Sequence, residues 1–186
     1  ISEYIDDNKI TNVDPDYIRH INRIINSELN SNTKLLRNVS WNPKQLEFSN
    51  MFSYGANNKI NFEPLTGIQG IFSKNATGKS SLLDIFTYCI YDRCSRAWKG
   101  KDILNNRRNK FNCKLTLELN GEDYIIERTG FRKKNNDGVK VEVYFYKINI
   151  DGSKTLLNGK DRDQTNKEIR DLFGTYDDFL LTTLSA

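Results

Sequence analysis

At 186 residues, with 37% hydrophobic and 28% charged side chains, the chain is long enough for one well-buried core and a small appendage. No apolar run approaches the ~20 residues that span a bilayer, and no charged-then-apolar leader opens the sequence, so no membrane partner is expected and nothing indicates secretion. A net charge of +4 is too small to name a partner; the distribution of the 28 basic and 24 acidic side chains says more.

Asp14-Pro15 is a helix start, an N-cap acceptor followed by Pro at the first helical position. Ile18, Ile21, Ile25 and Leu29 then line one face, and Asn30-Ser31-Asn32 ends the helix. His20 falls on the polar side and reads as a solvated histidine. A polar linker follows, with Leu35, Leu36 and Trp41 as anchors against a neighbour and Pro43 as a break. Residues 1–45 therefore read as a helical lead or connector, and residues 46–186 as the main domain. Leu46-Glu47-Phe48 and Lys59-Ile60-Asn61-Phe62 alternate as strands around a turn at residues 54–58, and a third strand is expected near 67–72.

Downstream, residues 93–110 are polar and irregular, and two hairpins follow. In the first, Cys113, Leu115, Leu117 and Leu119 alternate up to Asn120-Gly121, a type I′ signal, and Tyr124-Ile125-Ile126 returns. The second runs through Val139, Val141, Val143 and Phe145 to Asp151-Gly152 and returns by Leu156-Leu157. A helix over residues 163–173 ends at Gly174, with Ile169, Leu172 and Phe173 as its apolar edge. Cys89, Cys94 and Cys113 lack zinc-ligand spacing and read as buried free thiols of a reducing compartment. The start at Ile1 and the stop at Ala186, just after Phe179-Leu180-Leu181, read as cuts from a longer polypeptide.

Residues 66–92 carry most of the chemistry. Ile68, Ile71 and Phe72 lead into a tight loop, and Gly78-Lys79-Ser80 opens an amphipathic helix with Leu82, Ile85, Phe86, Cys89 and Ile90 on one face. This is the layout of a phosphate-binding loop. The N–H groups of Gly78, Lys79, Ser80 and Ser81 and the positive end of the helix dipole face an anion, the Lys79 ammonium reaches the outer phosphates, and the Ser80 hydroxyl ligates Mg²⁺. A Gly-Lys-Ser/Thr triplet arises by chance in about one chain in ten of this length, so the strand–loop–helix order gives it its weight. Two positions depart from G-x-x-x-x-G-K-[ST]: Ser73 holds the first Gly position, and Ala76 stands where many such loops have another Gly. A left-handed Ala76 would carry ~1–2 kcal/mol of strain. The alternative reading of the same residues is an ordinary strand–turn–helix with a surface lysine.

Several pieces now stand in a fixed order. They are Phe48-Ser49-Asn50-Met51-Phe52-Ser53-Tyr54-Gly55, the strand Lys59-Ile60-Asn61-Phe62, Ser73-Lys74-Asn75-Ala76-Thr77-Gly78-Lys79-Ser80-Ser81-Leu82-Leu83-Asp84, the hairpins, and Tyr176-Asp177-Asp178-Phe179. Together, over roughly residues 46–186, they resemble the N-terminal half of the ATPase head in SbcC-type double-strand-break repair ATPases, relatives of the structural-maintenance-of-chromosomes proteins. The resemblance implies an α/β fold, the N-terminal lobe of an ABC-type P-loop NTPase, with a mixed sheet wrapped on the P-loop helix and antiparallel hairpins. It implies ATP and Mg²⁺ as cofactors, with Asn75, Ala76, Thr77, Gly78, Lys79, Ser80 and Ser81 around the phosphates, Lys79 on the β/γ oxygens, Ser80 on the metal, and Asn105 and Asn106 near adenine and ribose. Many members place an Arg of the first-strand motif near the nucleotide; Phe52 stands at that position here.

In such heads the signature motif, the Walker B acid and the switch His lie in a second lobe beyond a coiled coil, and a Mg²⁺-contacting Gln follows the segment after Phe179. The resemblance therefore implies a lobe that binds ATP without a catalytic residue of its own, turning over only with its C-terminal lobe and a second head. Implied partners are that lobe, a second head in a homodimer, an SbcD-type metallophosphoesterase nuclease and double-stranded DNA, in an intracellular setting on DNA. Residues 1–45 would be the tail of an upstream nuclease domain. Other readings are a chromosome-organising clamp of the same superfamily and a degenerate P-loop module for protein docking.

Basic residues cluster twice. Arg93, Arg96, Lys99, Lys101, Arg107, Arg108 and Lys110 face a single acid, Asp102, and Arg132-Lys133-Lys134 sits at a tip between the hairpins beside Phe131. On polar connections long cations reach phosphates without burying charge, which suits sequence-independent, salt-sensitive binding of DNA; solvated basic loops are the plainer reading.

Overall fold

The computed structural model describes residues 41–75, 77–97, 99–134 and 138–183. The chain divides into two compact units, residues 1–37 and 38–186. The helix expected from Asp14-Pro15 through Leu29, its end at Asn30-Ser31-Asn32, His20, Leu35, Leu36 and the backbone of Ala76 lie outside the described residues.

Alternation builds a six-stranded sheet in the order β2-β1-β3-β4-β5-β6. Its strands are β1 (Trp41–Ser49), β2 (Asn58–Asn61), β3 (Lys110–Leu119), β4 (Glu122–Arg132), β5 (Val139–Ile148) and β6 (Lys154–Leu156). Every pairing is antiparallel. The two expected hairpins merge into one meander, because β4 also pairs with β5 from Asp123↔Ile148 to Arg132↔Val139. Asn120 and Gly121 both take positive φ, 54° and 79°, as the type I′ signal demands.

Three expectations change. The strand near 67–72 is absent; this stretch is coil, with Ile68 and Phe72 almost fully exposed. A strand satisfies its backbone groups only beside a neighbour, and no strand of the antiparallel sheet pairs with this segment. Pro43 does not break the chain but lies inside β1, where the register to β3 shifts between Pro43 and Gln45. A bulge tolerates the missing N–H donor. Strand β1 accordingly begins at Trp41 rather than Leu46.

Helices α1 (Lys79–Tyr91), α2 (Gly100–Ile103), α3 (Arg162–Phe173) and α4 (Tyr176–Thr183) accompany the sheet, α2 and α4 being additions to the sequence reading. One sheet face carries Phe111, Cys113, Leu115, Leu117, Ile126 and Phe145, all fully buried, in a core shared with Ile85, Cys89 and Ile90 of α1 and Ile169 of α3. Each such Leu, Ile or Phe contributes about 1.5–3 kcal/mol by leaving water. The expected face of α1 holds, with Leu82 and Phe86 partly buried at its margin. Asp161 caps α3 by accepting from Gln164 N at 2.8 Å, and Gly174 closes it. Trp41 stacks on Phe86 and Phe179 and meets Phe173 edge-on, tying β1 to three helices. All three cysteines are buried and unpaired.

The C-terminal end of α1 is fastened by a fully buried arginine of β4. Arg128 donates from Nε to Cys89 O (2.8 Å), from Nη2 to Ile90 O (2.9 Å) and from Nη1 to Asn166 Oδ1 (2.9 Å). Asp92, the left-handed residue ending α1, lies 3.6 Å from Arg128 Nη1 and accepts from Arg162 of α3. A cation thus meets the otherwise unpaired last carbonyls at the negative end of the helix dipole.

Candidate functional site

The loop before α1 closes on itself. Lys79 Nζ donates to Ser73 O at 2.7 Å and Lys74 O at 3.0 Å. Thr77 Oγ1 donates to Lys74 O at 2.7 Å and lies 2.5 Å from Ser73 Oγ. The ammonium is therefore held across the loop mouth, with one of its three N–H directions left for an incoming oxygen. Ser73 does not take a left-handed φ, so nothing there demands glycine. Gly78 does, at φ 100°. An added Cβ would also sit 2.9 Å from Ser53 Oγ and 3.3 Å from the Tyr54 ring.

Behind the loop stands the β1–β2 connection. Tyr54 OH donates to Gly78 O at 3.1 Å, and the Tyr54 carbonyl accepts from Asn105 Nδ2 at 3.2 Å. Asn105 N donates to Asn50 O (2.9 Å) and Phe52 N to Ile103 O (2.7 Å). Phe52 has φ 48°, an uncommon conformation for an aromatic residue, held by that bond.

Of the residues the sequence singled out, Asn75, Thr77, Gly78, Lys79 and Ser80 come together at the mouth of α1, with Asn75, Thr77 and Ser80 exposed. The N–H groups of Lys79, Ser80 and Ser81 belong to the first helical turn, which supplies them no carbonyl. The Ser81 side chain faces inward instead, buried and accepting from Arg96 Nη2 at 3.0 Å. Asn105 reaches the loop through Tyr54, while Asn106 is exposed beside it.

Two cations of the first basic cluster are paired with carboxylates of the same chain. Arg96 clasps the buried Asp84 through Nε (2.6 Å) and Nη2 (2.5 Å), with its guanidinium carbon 5.8 Å from the Phe52 ring centre. Ser95 adds N and Oγ donors to the same carboxylate. Arg93 lies 3.3 Å from Asp177 and over the Tyr176 ring. Nearby, burial pushes the Cys94 thiol above its ordinary range. Tyr54 and Arg96 went unseen as site residues because their partners are distant in sequence. Among the described residues no His/Cys/Asp/Glu cluster fit for a metal is present, and no helix is long and apolar enough to cross a membrane.

Comparison with known proteins gives a consistent picture. Residues 45–184 match the family model described as AAA domain. An uncharacterized protein of Acanthamoeba polyphaga mimivirus, R555, is 43% identical over 78% of this chain and 11% of its own length. The SbcC component of the nuclease SbcCD of Bacillus subtilis is 31% identical over 74% of this chain and 12% of its own. The DNA double-strand break repair Rad50 ATPase of Archaeoglobus fulgidus is 31% identical over 52% of this chain and 10% of its own. The chain thus spans about a tenth of the length of the curated relatives it matches.

Proposed function

The chain belongs to the AAA domain family, as the N-terminal part of an SbcC/Rad50-type ATPase head, and from that premise we propose that it holds ATP at residues 73–81 within a DNA-repair ATPase. The observation that carries the reading is the Lys79 ammonium, drawn across the loop onto Ser73 O and Lys74 O beside a left-handed Gly78. That arrangement leaves a cation and a set of first-turn N–H groups facing one point, the donor set a triphosphate tail needs.

In this reading Lys79 contacts the β/γ oxygens, the N–H groups of Asn75 through to Ser81 wrap the phosphates, and Tyr54 and Asn105 keep the loop in shape. The exposed Ser80 hydroxyl would hold Mg²⁺, which, when bound, supplies charge neutralisation on the phosphates. The chain's own residues bind and orient; positioning and charge do most of the work in phosphoryl transfer. Turnover belongs to the complete head, with its C-terminal lobe and a second head. Control of an SbcD-type nuclease on DNA is part of the same proposal, supported by the likeness to a protein named as a subunit of the nuclease SbcCD.

Titration calorimetry with Mg-ATP tests the site. Lys79→Ala is expected to weaken binding at least tenfold, the loss of one charge-assisted contact of ~1.5–3 kcal/mol. Unchanged affinity would remove the loop from the proposal.

A further inference from the structure

The sheet face turned away from α1 and α3 is charged unevenly. At one end a row crosses three strands, with Lys110 opposite Phe131 and Phe131 opposite Lys140. Phe131 is 39% exposed, although its neighbour Gly130 points into the core, where the Phe111 ring fills the space a Cβ would need. Lys110 Nζ lies 5.0 Å from the Phe131 ring centre. Arg132 ties the adjoining loop to this corner through N to Asn109 O (2.8 Å) and Nη2 to Arg108 O (3.3 Å). Arg107, Arg108, Lys133 and Lys134 are exposed around it. The counter-charge from the next row is Glu142, bound to Lys140 at 2.8 Å. At the opposite end of this face Lys44 is matched by Asp123 at 2.6 Å.

An exposed ring framed by cations on a sheet fits a strand with both phosphates and open base faces. A duplex offers this flat surface its phosphates alone, whereas an unpaired base stacks on the ring. We propose that this corner binds single-stranded DNA, an unpaired base stacking on Phe131 while Lys110, Arg108 and Lys133 hold the flanking phosphates. The choice of DNA rests on the repair reading above; the preference for unpaired strands rests on Phe131.

Fluorescence anisotropy of the 186-residue chain with labelled oligo(dT), competed by relaxed closed-circular duplex, tests it. Phe131→Ala should weaken oligo(dT) binding about tenfold, as expected for loss of one stacking aromatic, and leave the closed duplex within about twofold. Phe131→Tyr should restore it, and Lys110→Gln should lower the salt slope on both DNAs by about one. Overlaid thermal melts of Phe131→Ala and the parent establish that the fold is intact. An oligo(dT) affinity unmoved by Phe131→Ala, or an equal loss on both DNAs, overturns the proposal while the repair reading stands. Absence of binding to either DNA overturns the proposal and the DNA reading together.

Discussion

At Gly78 two demands meet on one Cα, a left-handed φ and contact with Ser53 and Tyr54. Gly78→Ala is expected to cost about 1–2 kcal/mol in backbone strain alone and to push Tyr54 away from the loop. Urea midpoints check the first effect and the Mg-ATP thermal shift the second; an unaltered midpoint would show that the loop yields freely. Tyr88 presents the opposite case. Its hydroxyl is buried with no hydrogen-bond partner among the described residues. Tyr88→Phe keeps the ring beside Phe111 and Arg128 and should raise stability by about 1 kcal/mol, the relief of an unmet polar group. A destabilised variant in the same urea assay would reveal a hidden partner. At this scale Gly78 and Lys79 were legible because loop spacing is local. Arg96 was not: its carboxylate partner is Asp84, on another element, and nothing in either residue's neighbourhood announces the pair.

Among the elements, α1 is held at both ends by residues from elsewhere, Tyr54 at its start and Arg128 at its finish. Arg128→Met would leave the buried carbonyls of Cys89 and Ile90 without their donor and leave Asp92 with Arg162 as its remaining cation. The expected loss is about 3–5 kcal/mol, as for removing one partner of a buried charged network, read from urea unfolding. Hydrogen exchange should show the last turn of α1 opening first; a loss below about 1 kcal/mol would mean water replaces the guanidinium. Periodicity made β3, β5, α1 and α3 readable, since each presents one repeating apolar face, and the Asn120-Gly121 turn marked the start of β4. It misled at 67–72, where Ile68, Ile71 and Phe72 have strand-like composition but no neighbouring strand, and it missed α2 and α4, too short to show a period.

For the molecule as a whole, burial sets the response to alkali. It raises the Tyr88 and Tyr91 phenols and the Cys113 thiol above their ordinary ranges, Cys113 also through its neighbour Cys89. These groups are neutral when protonated, and the unfolded chain releases their protons first, near pH 8.5 for thiols and 10 for phenols. Stability from this source is therefore whole below about pH 8.5 and falls as pH rises, more steeply above about 10. Urea midpoints across pH 7 to 11 measure it, and a flat profile would contradict the burial described.

Taken alone, the sequence determined the loop that receives α1, the alternating strands, the type I′ turn and the family likeness, because each depends on residues near one another along the chain. Tertiary structure decided that the sheet is antiparallel throughout, that Arg93 and Arg96 pair with Asp177 and Asp84 while Lys110 and Phe131 meet on the open sheet face, and that Tyr54 and Arg128 brace the P-loop helix. Those outcomes join side chains far apart in sequence, and such pairings exist only once packing has brought distant segments within hydrogen-bonding distance.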